Sequence, residues 1–269
     1  MHNVRCHDRL WDPLLSTFSK PAQPEVCLDY ASDPVRFCQE QLDFRPDDRQ
    51  RQILTAKDRQ IIICASRQWG KSTVTAAKAF HHAWFTPDTL VLVLSPCERQ
   101  SAEFIRKVET FARRFGIKPK GDGDNACSMI LPNGTRIVGL PGTEATDRGF
   151  SAPTLILIDE AARVDDSLYY AVRPMLAASN GQMILMSTPM GQRGFFHKEW
   201  SGDDQDWLRV KVPATECPRI TKELLARERK RLTDQFFRQE FLCEFQASEE
   251  ALFNPDQVWA ILDPTIPAL

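Results

Sequence analysis

The chain has 269 residues, 42% of them hydrophobic, enough for one large domain, or a domain with a small subdomain, built on a sheet covered on both faces. Its 34 basic residues against 36 acidic ones leave a formal charge of -2, which excludes a global basic field as the means of holding nucleic acid; any such contact must come from a local patch. The 8 cysteines are scattered, with no C-x-x-C pair and no histidines at zinc spacing, the N-terminus is polar, and no apolar run reaches membrane length. The expectation is therefore a cytosolic protein of a reducing compartment, without a structural metal, signal peptide or membrane span.

Residues 1–31 mix Pro13, Pro21 and Pro24 with isolated apolar positions and read as a loosely ordered arm against the main body. Residues 34–42 read as a helix with Val35, Phe37, Cys38 and Leu42 turned inward. In the segment 44–54, Pro46 suits a first helical turn and Gln50 projects from that turn just ahead of the next strand. A glutamine amide can accept from adenine N6 and donate to N7, so Gln50 is a candidate base reader, the plain alternative being an exposed polar helix.

The run Ile61-Ile62-Ile63-Cys64-Ala65 is a β-branched strand that leads into Ser66-Arg67-Gln68-Trp69-Gly70-Lys71-Ser72, and residues 73–83 read as a helix. Strand, Gly-Lys-Ser loop and helix in that order are what a phosphate-binding loop needs, although Ala65 stands where the first glycine of G-x-x-x-x-G-K-[ST] is expected. Backbone N–H groups of Gln68 through Ser72 would cradle phosphate oxygens, with Ser66 and Thr73 flanking them. Lys71 would neutralise the β/γ charge and Ser72 would ligate Mg²⁺.

Residues 90–95 form a further buried strand, and 98–115 a helix with a core stripe of Phe104, Ile105, Val108, Phe111 and Ala112. Arg99, Arg106, Lys107, Arg113 and Arg114 fall on its other faces, by default a solvated surface. An Asn133-Gly134 turn joins strands at 127–131 and 136–140 into a hairpin. A glycine-bearing loop over 141–150 carries Arg148, placed to enter a phosphate site of its own chain or of a neighbour.

A second buried strand, 154–158, ends in Asp159-Glu160. Asp159 would hold Mg²⁺ through water, and Glu160 would orient and deprotonate an attacking water, which points to hydrolysis rather than nucleotide storage. Residues 166–178 read as a helix stopped by Asn180-Gly181. A strand over 182–187 ends in Ser187-Thr188-Pro189, where polar groups at a strand's carboxyl end can sense a ligand. A short strand at 208–212 and a mostly helical stretch over 221–245 complete the pattern, the mixed charges of 227–231 facing solvent.

With these motifs in order, residues 44–253 resemble the ATPase domain of the large terminase subunit, the motor that packages DNA into the capsids of tailed phages and herpesviruses. The resemblance implies an α/β fold: a P-loop NTPase of the additional-strand catalytic-glutamate type, with a mainly parallel sheet flanked by helices and a small helical lid. It divides the chain into an N-terminal arm or lid (1–43), an ATPase core (44–215), a helical lid region (216–250) and the start of a linker (251–269). It also implies that Gln50 contacts adenine, that Arg67 touches the γ-phosphate in cis, that Arg148 acts in trans on a neighbour's ATP, and that Ser187, Thr188 and Pro189 couple hydrolysis to motion. The cofactors implied are ATP and Mg²⁺. The partners implied are double-stranded DNA, the portal protein of the procapsid, the small terminase subunit and further copies of the chain in a ring, all in the host cytoplasm. The acids of the nuclease that usually follows the linker are not recognised before residue 269, so no DNA cleavage is expected of this chain. A helicase-like ATPase and a non-catalytic ATP-gated module for DNA or portal binding are the alternatives.

Overall fold

A computed structural model describes residues 28–125, 127–142 and 149–247. The first half runs α1 (Leu28–Ser32), α2 (Pro34–Gln41), α3 (Asp48–Thr55), β1 (Gln60–Ala65), α4 (Lys71–Phe85), β2 (Leu90–Ser95), α5 (Glu98–Arg114), β3 (Ser128–Ile130) and β4 (Arg136–Pro141). The second half runs β5 (Leu155–Asp159), α6 (Asp166–Val172), β6 (Gln182–Ser187), α7 (Gly194–Ser201), β7 (Trp207–Val212), α8 (Lys222–Arg231) and α9 (Asp234–Leu242).

The strands form one sheet in the order β3-β4-β2-β5-β6-β1-β7, parallel throughout except for the antiparallel β3 at one edge. A parallel sheet needs cover on both faces, which is why its central strands are apolar runs rather than alternations. Ile61, Ile63, Val91, Val93, Leu155, Leu157, Ile184 and Met186 share one apolar core with residues of α2 to α5. Ile62, Cys64, Leu92, Leu94, Ile156, Ile158 and Leu185 share the other with Leu168, Tyr169 and Val172 of α6 and Phe195 and Phe196 of α7. Residues 30–42 contribute to the first core: Phe37 meets Phe80, Phe85 and Phe115 at centroid distances of 6.2, 5.4 and 5.3 Å.

Several boundaries differ from expectation. The helix expected over 73–83 runs from Lys71 to Phe85. The helix expected over 166–178 ends as an α-helix at Val172 and continues as a 3₁₀ turn, Arg173–Leu176, because Pro174 has no N–H to extend the α-ladder. The stretch 221–245 splits into α8 and α9 at Leu232, whose backbone is extended, and Thr233 restarts the helix by accepting from Phe236 N at 3.3 Å. Helix α7 was not foreseen, and α1 lies inside the segment read as a loose arm. The hairpin is as expected: Leu131 N donates to Thr135 O at 2.9 Å, and Gly134 takes the left-handed conformation (φ 84°) that the turn requires.

A buried and a half-buried base of α4 tie its surroundings together. Lys78 donates to the carbonyls of Leu54 and Ala56 at 3.2 and 2.9 Å, capping the carboxyl end of α3 and holding that helix against α4. His82 Nε2 lies 2.9 Å from Thr154 Oγ1 at the entry to β5. Burial, with the Lys78 ammonium and His81 nearby, holds the imidazole down at about 4. Since the unfolded chain titrates near the ordinary value of about 6.5, acidification protonates the unfolded state first, and stability is lost as pH falls from about 6.5 towards about 4. We expect the unfolding free energy from urea titration to fall by about 2 kcal/mol between about pH 7 and about pH 5, and His82→Gln to flatten that slope.

Candidate active site

The site lies at the carboxyl edge of the sheet, where parallel α/β proteins bind ligands because strand ends and helix N-termini converge there. Beyond β1, Ser66 N donates to Val212 O at 2.9 Å and Arg67 N to Glu240 O at 3.4 Å, so the loop hangs between β7 and α9. Gln68 (φ 64°) and Gly70 (φ 100°) both adopt left-handed backbone, turning the chain into the first turn of α4. At Gly70 a Cβ would stand 3.2 Å from Gln50 Nε2 and 3.7 Å from Arg219 Nη2, so only glycine leaves the loop both its conformation and its close neighbours.

Lys71 is almost fully buried, and its ammonium lies 3.6 Å from Glu160 Oε1. Ser72 Oγ donates to Asp159 Oδ2 at 3.1 Å. Burial, with Glu160 alongside, pushes the Asp159 carboxyl above its ordinary range, opposed by Lys71 and Ser72. A carboxylate and a hydroxyl in contact, one strand end from a helix N-terminus, form an oxygen donor set suited to a hard divalent cation such as Mg²⁺.

Glu160 has left-handed backbone (φ 51°), a strained conformation for a side-chain-bearing residue that lets the chain turn directly off β5 into the 3₁₀ turn Ala161–Arg163. That turn brings Arg163 round onto it. Arg163 Nη1 donates to Glu160 Oε2 at 2.8 Å and to Thr188 Oγ1 at 3.1 Å, while Nη2 lies 3.5 Å from Glu240 Oε1. Glu240, 1% exposed on α9, also receives Arg67 Nε at 2.5 Å. Lys71, Glu160, Arg163, Glu240 and Arg67 thus form a chain of alternating charge from the loop, through the acidic strand end, to α9.

A cleft of about 700 Å³ opens over this chain. Gln50, Arg67, Gln68, Trp69, Gly70, Lys71, Ser72, Thr73 and Glu160, all singled out in the sequence, line it together. Gln50 is 1% exposed: its Oε1 accepts from Asp47 N at 3.0 Å in a capping box, and its Nε2 reaches Trp69 O at 3.4 Å. Among the described residues the second lone pair and second N–H of the amide make no hydrogen bond. The surplus of cations around the cleft, against the single Glu160 at its wall, suits a polyanion.

The family description "Terminase large subunit, T4likevirus-type, N-terminal" matches residues 62–258. The chain belongs to this terminase family. It is 23% identical over 204 residues to the terminase large subunit of Escherichia phage T5, covering 74% of this chain and 46% of that protein. The chain spans about half the length of the curated terminases it matches. Its fold is shared with the large terminase ATPase domain of Thermus phage P74-26 (TM-score 0.67, 19% identity, 78% of this chain and 98% of that one). It is shared too with the large terminase of a thermophilic bacteriophage solved in complex with ADP (TM-score 0.63, 15% identity, 74% of this chain and 54% of that one). The expected α/β architecture, a mainly parallel P-loop sheet flanked by helices, is the terminase ATPase fold.

Other residues named from the sequence lie off the cleft or outside the described residues. Arg148 lies outside the described residues. Ser66 and Ser187 are buried at the ends of β1 and β6, their hydroxyls without a partner among the described residues, and neither lines the cleft. Thr188 reaches the site only through Arg163, and Pro189 is buried beside it. Trp69 contributes its carbonyl, its ring being wholly in the core.

Other site residues were missed. Lys107, assigned by default to a solvated helix face, lines the cleft. Phe44, Gln100, Arg163 and Arg219 line it too, and Glu240 anchors it from behind. Of these only Arg163 carried a local signal, three residues after Glu160 on one turn.

Gly70→Ala is expected to cost about 1–2 kcal/mol for forcing left-handed backbone on alanine, read as a lower urea midpoint. It should also weaken nucleotide binding at least about tenfold in calorimetric titration, through the displaced Gln50 amide. Unchanged binding would refute this account of the loop.

Proposed function

We propose that the chain is the ATPase motor domain of a viral large terminase, hydrolysing Mg-ATP to drive double-stranded DNA into a procapsid. The observation that carries the reading is Glu160, held between Lys71 and Arg163 one residue beyond the Asp159–Ser72 pair. Membership of the terminase family supports it, as does the ADP complex of the thermophilic-phage relative.

In this mechanism the amides of the loop and of the first turn of α4 receive the phosphates, and Lys71 neutralises the β/γ oxygens. Ser72 and Asp159 would hold Mg²⁺, which when bound would supply charge neutralisation at the phosphates. Glu160 orients a water in line with the γ-phosphorus and takes its proton. Arg67, exposed at the cleft, offers its Nη groups to the γ-phosphate in cis while its Nε stays on Glu240. Gln50 reads adenine.

Arg163 would pass the state of Glu160 to Thr188 and to α9, so coupling through Ser187, Thr188 and Pro189 runs by way of that guanidinium. Residues 216–250 act as the lid on the core of 44–215. The portal, the small terminase subunit, DNA and further copies of the chain are the partners this role requires, in the host cytoplasm. Among the described residues no helix is long and apolar enough to cross a membrane.

Replacement of the base provides the test. Glu160→Gln should lower steady-state ATP turnover by about 10²–10⁴ while leaving ATP affinity within about threefold, and unimpaired turnover would end the hydrolytic reading. Arg148 is proposed to complete the site of a neighbouring copy. Specific activity should therefore rise with protein concentration, and Arg148→Ala should abolish the rise, a loss of up to about 10³–10⁵ in the assembled state. Activity per subunit that stays flat would make the site self-contained.

A further inference from the structure

The cleft has an end that the phosphate chemistry does not use. Lys71, Ser72, Asp159 and Glu160 gather at one set of strand ends, whereas Gln50 and Arg219 both converge on the carbonyl of Trp69. Arg219 stands in the connection between β7 and α8, far in sequence from the loop. Its Nη2 donates to Trp69 O and lies 3.3 Å from Asp47 Oδ2, while its side chain remains 49% exposed at the cleft.

A guanidinium tied along its edge by a carbonyl and a carboxylate keeps its planar face open. That face stacks on aromatic systems and, being tethered beforehand, loses little freedom in doing so. The tether is reinforced nearby, since Arg49 of α3 pairs with Glu216 of the same connection at 3.0 Å. The two ion pairs stitch the start of α3 to this connection and hold Arg219 and Gln50 as one unit. The partner beside Arg219 is an uncharged amide, which matches the hydrogen-bonding edge of a base and not a phosphate. Phe44, its ring 5.8 Å from Phe111, adds an apolar surface to the same cleft.

We propose that Arg219 is a base-recognition residue of the nucleotide site, its guanidinium face packing on the adenine whose edge Gln50 reads, with Asp47 as its positioning residue. This rests on the ATPase reading above and extends it to nucleobase selection. The segment leading into α8 and α9 thereby feels whether a base is bound, independently of the phosphates.

The test is calorimetric titration of the full chain with ATP and, separately, with inorganic tripolyphosphate, which has no base. Arg219→Ala should weaken ATP roughly tenfold and leave tripolyphosphate within about twofold, and Arg219→Lys should recover little, an ammonium having no face to stack. Arg49→Ala removes the neighbouring ion pair but leaves Asp47 and Trp69 O on Arg219, so it should weaken ATP by no more than about twofold. Equal losses for ATP and tripolyphosphate would overturn the proposal in favour of a phosphate contact. Equal losses for Arg49→Ala and Arg219→Ala would overturn it in favour of a purely structural stitch, and undiminished ATP binding by Arg219→Ala would overturn it outright. A wild-type chain that binds tripolyphosphate but not ATP would refute base recognition alone, whereas one that binds neither would refute the ATPase reading itself.

Discussion

The buried carboxylate of Glu240 is the constraint on which the arrangement of the site depends. An ionised carboxylate at 1% exposure is tolerable only when paired on more than one side, because the cost of removing it from water exceeds what one exposed partner returns. Arg67 and Arg163 supply the two sides. Helix α9, which has few other buried anchors, is thereby fastened to the loop after β1 and to the turn after β5. The same pairing limits where Arg163 can point, and hence where Glu160 sits.

The sheet makes this geometry possible. Strands β5 and β1 flank β6, so Asp159, Ser187 and Ser66 emerge side by side at one edge, and a loop from one strand can meet an acid from the next but one. Both faces of the sheet are closed by helices, leaving that edge as the place where backbone groups and charged side chains remain available. The strain in the site is local and concentrated. Gln68 and Glu160 both hold left-handed backbone, each at a cost of about 1–3 kcal/mol that the surrounding hydrogen bonds must offset.

Three long-range ties then set the cleft's walls. Lys78 fastens α3 to α4, Arg219 and Arg49 fasten α3 to the entry of α8, and Glu240 fastens α9 to the loop. The Glu240 tie joins the phosphate loop to a helix that borders it. A change at the phosphates therefore meets the helical region beyond β7 at the α9 carboxylate, while the arginine ahead of α8 meets the other end of the cleft, at Trp69 O and Asp47.

The sequence alone determined the elements whose signals are local. Apolar β-branched runs marked the central strands, the Asn133-Gly134 turn marked the hairpin, and Gly70-Lys71-Ser72 between strand and helix marked the loop. Adjacent carboxylates at a strand end marked Asp159 and Glu160. Helix ends were less legible where one residue decides them, as at Pro174 and Thr233. What only the tertiary structure decided was which charges meet. Arg67 and Glu240 are 173 positions apart, Arg49 and Glu216 167, and Arg219 and Asp47 172. No periodicity encodes pairs so distant. In sequence these residues, Arg67 of the phosphate loop excepted, read as ordinary solvated charge, because only the folded chain removes the water that would otherwise keep them apart.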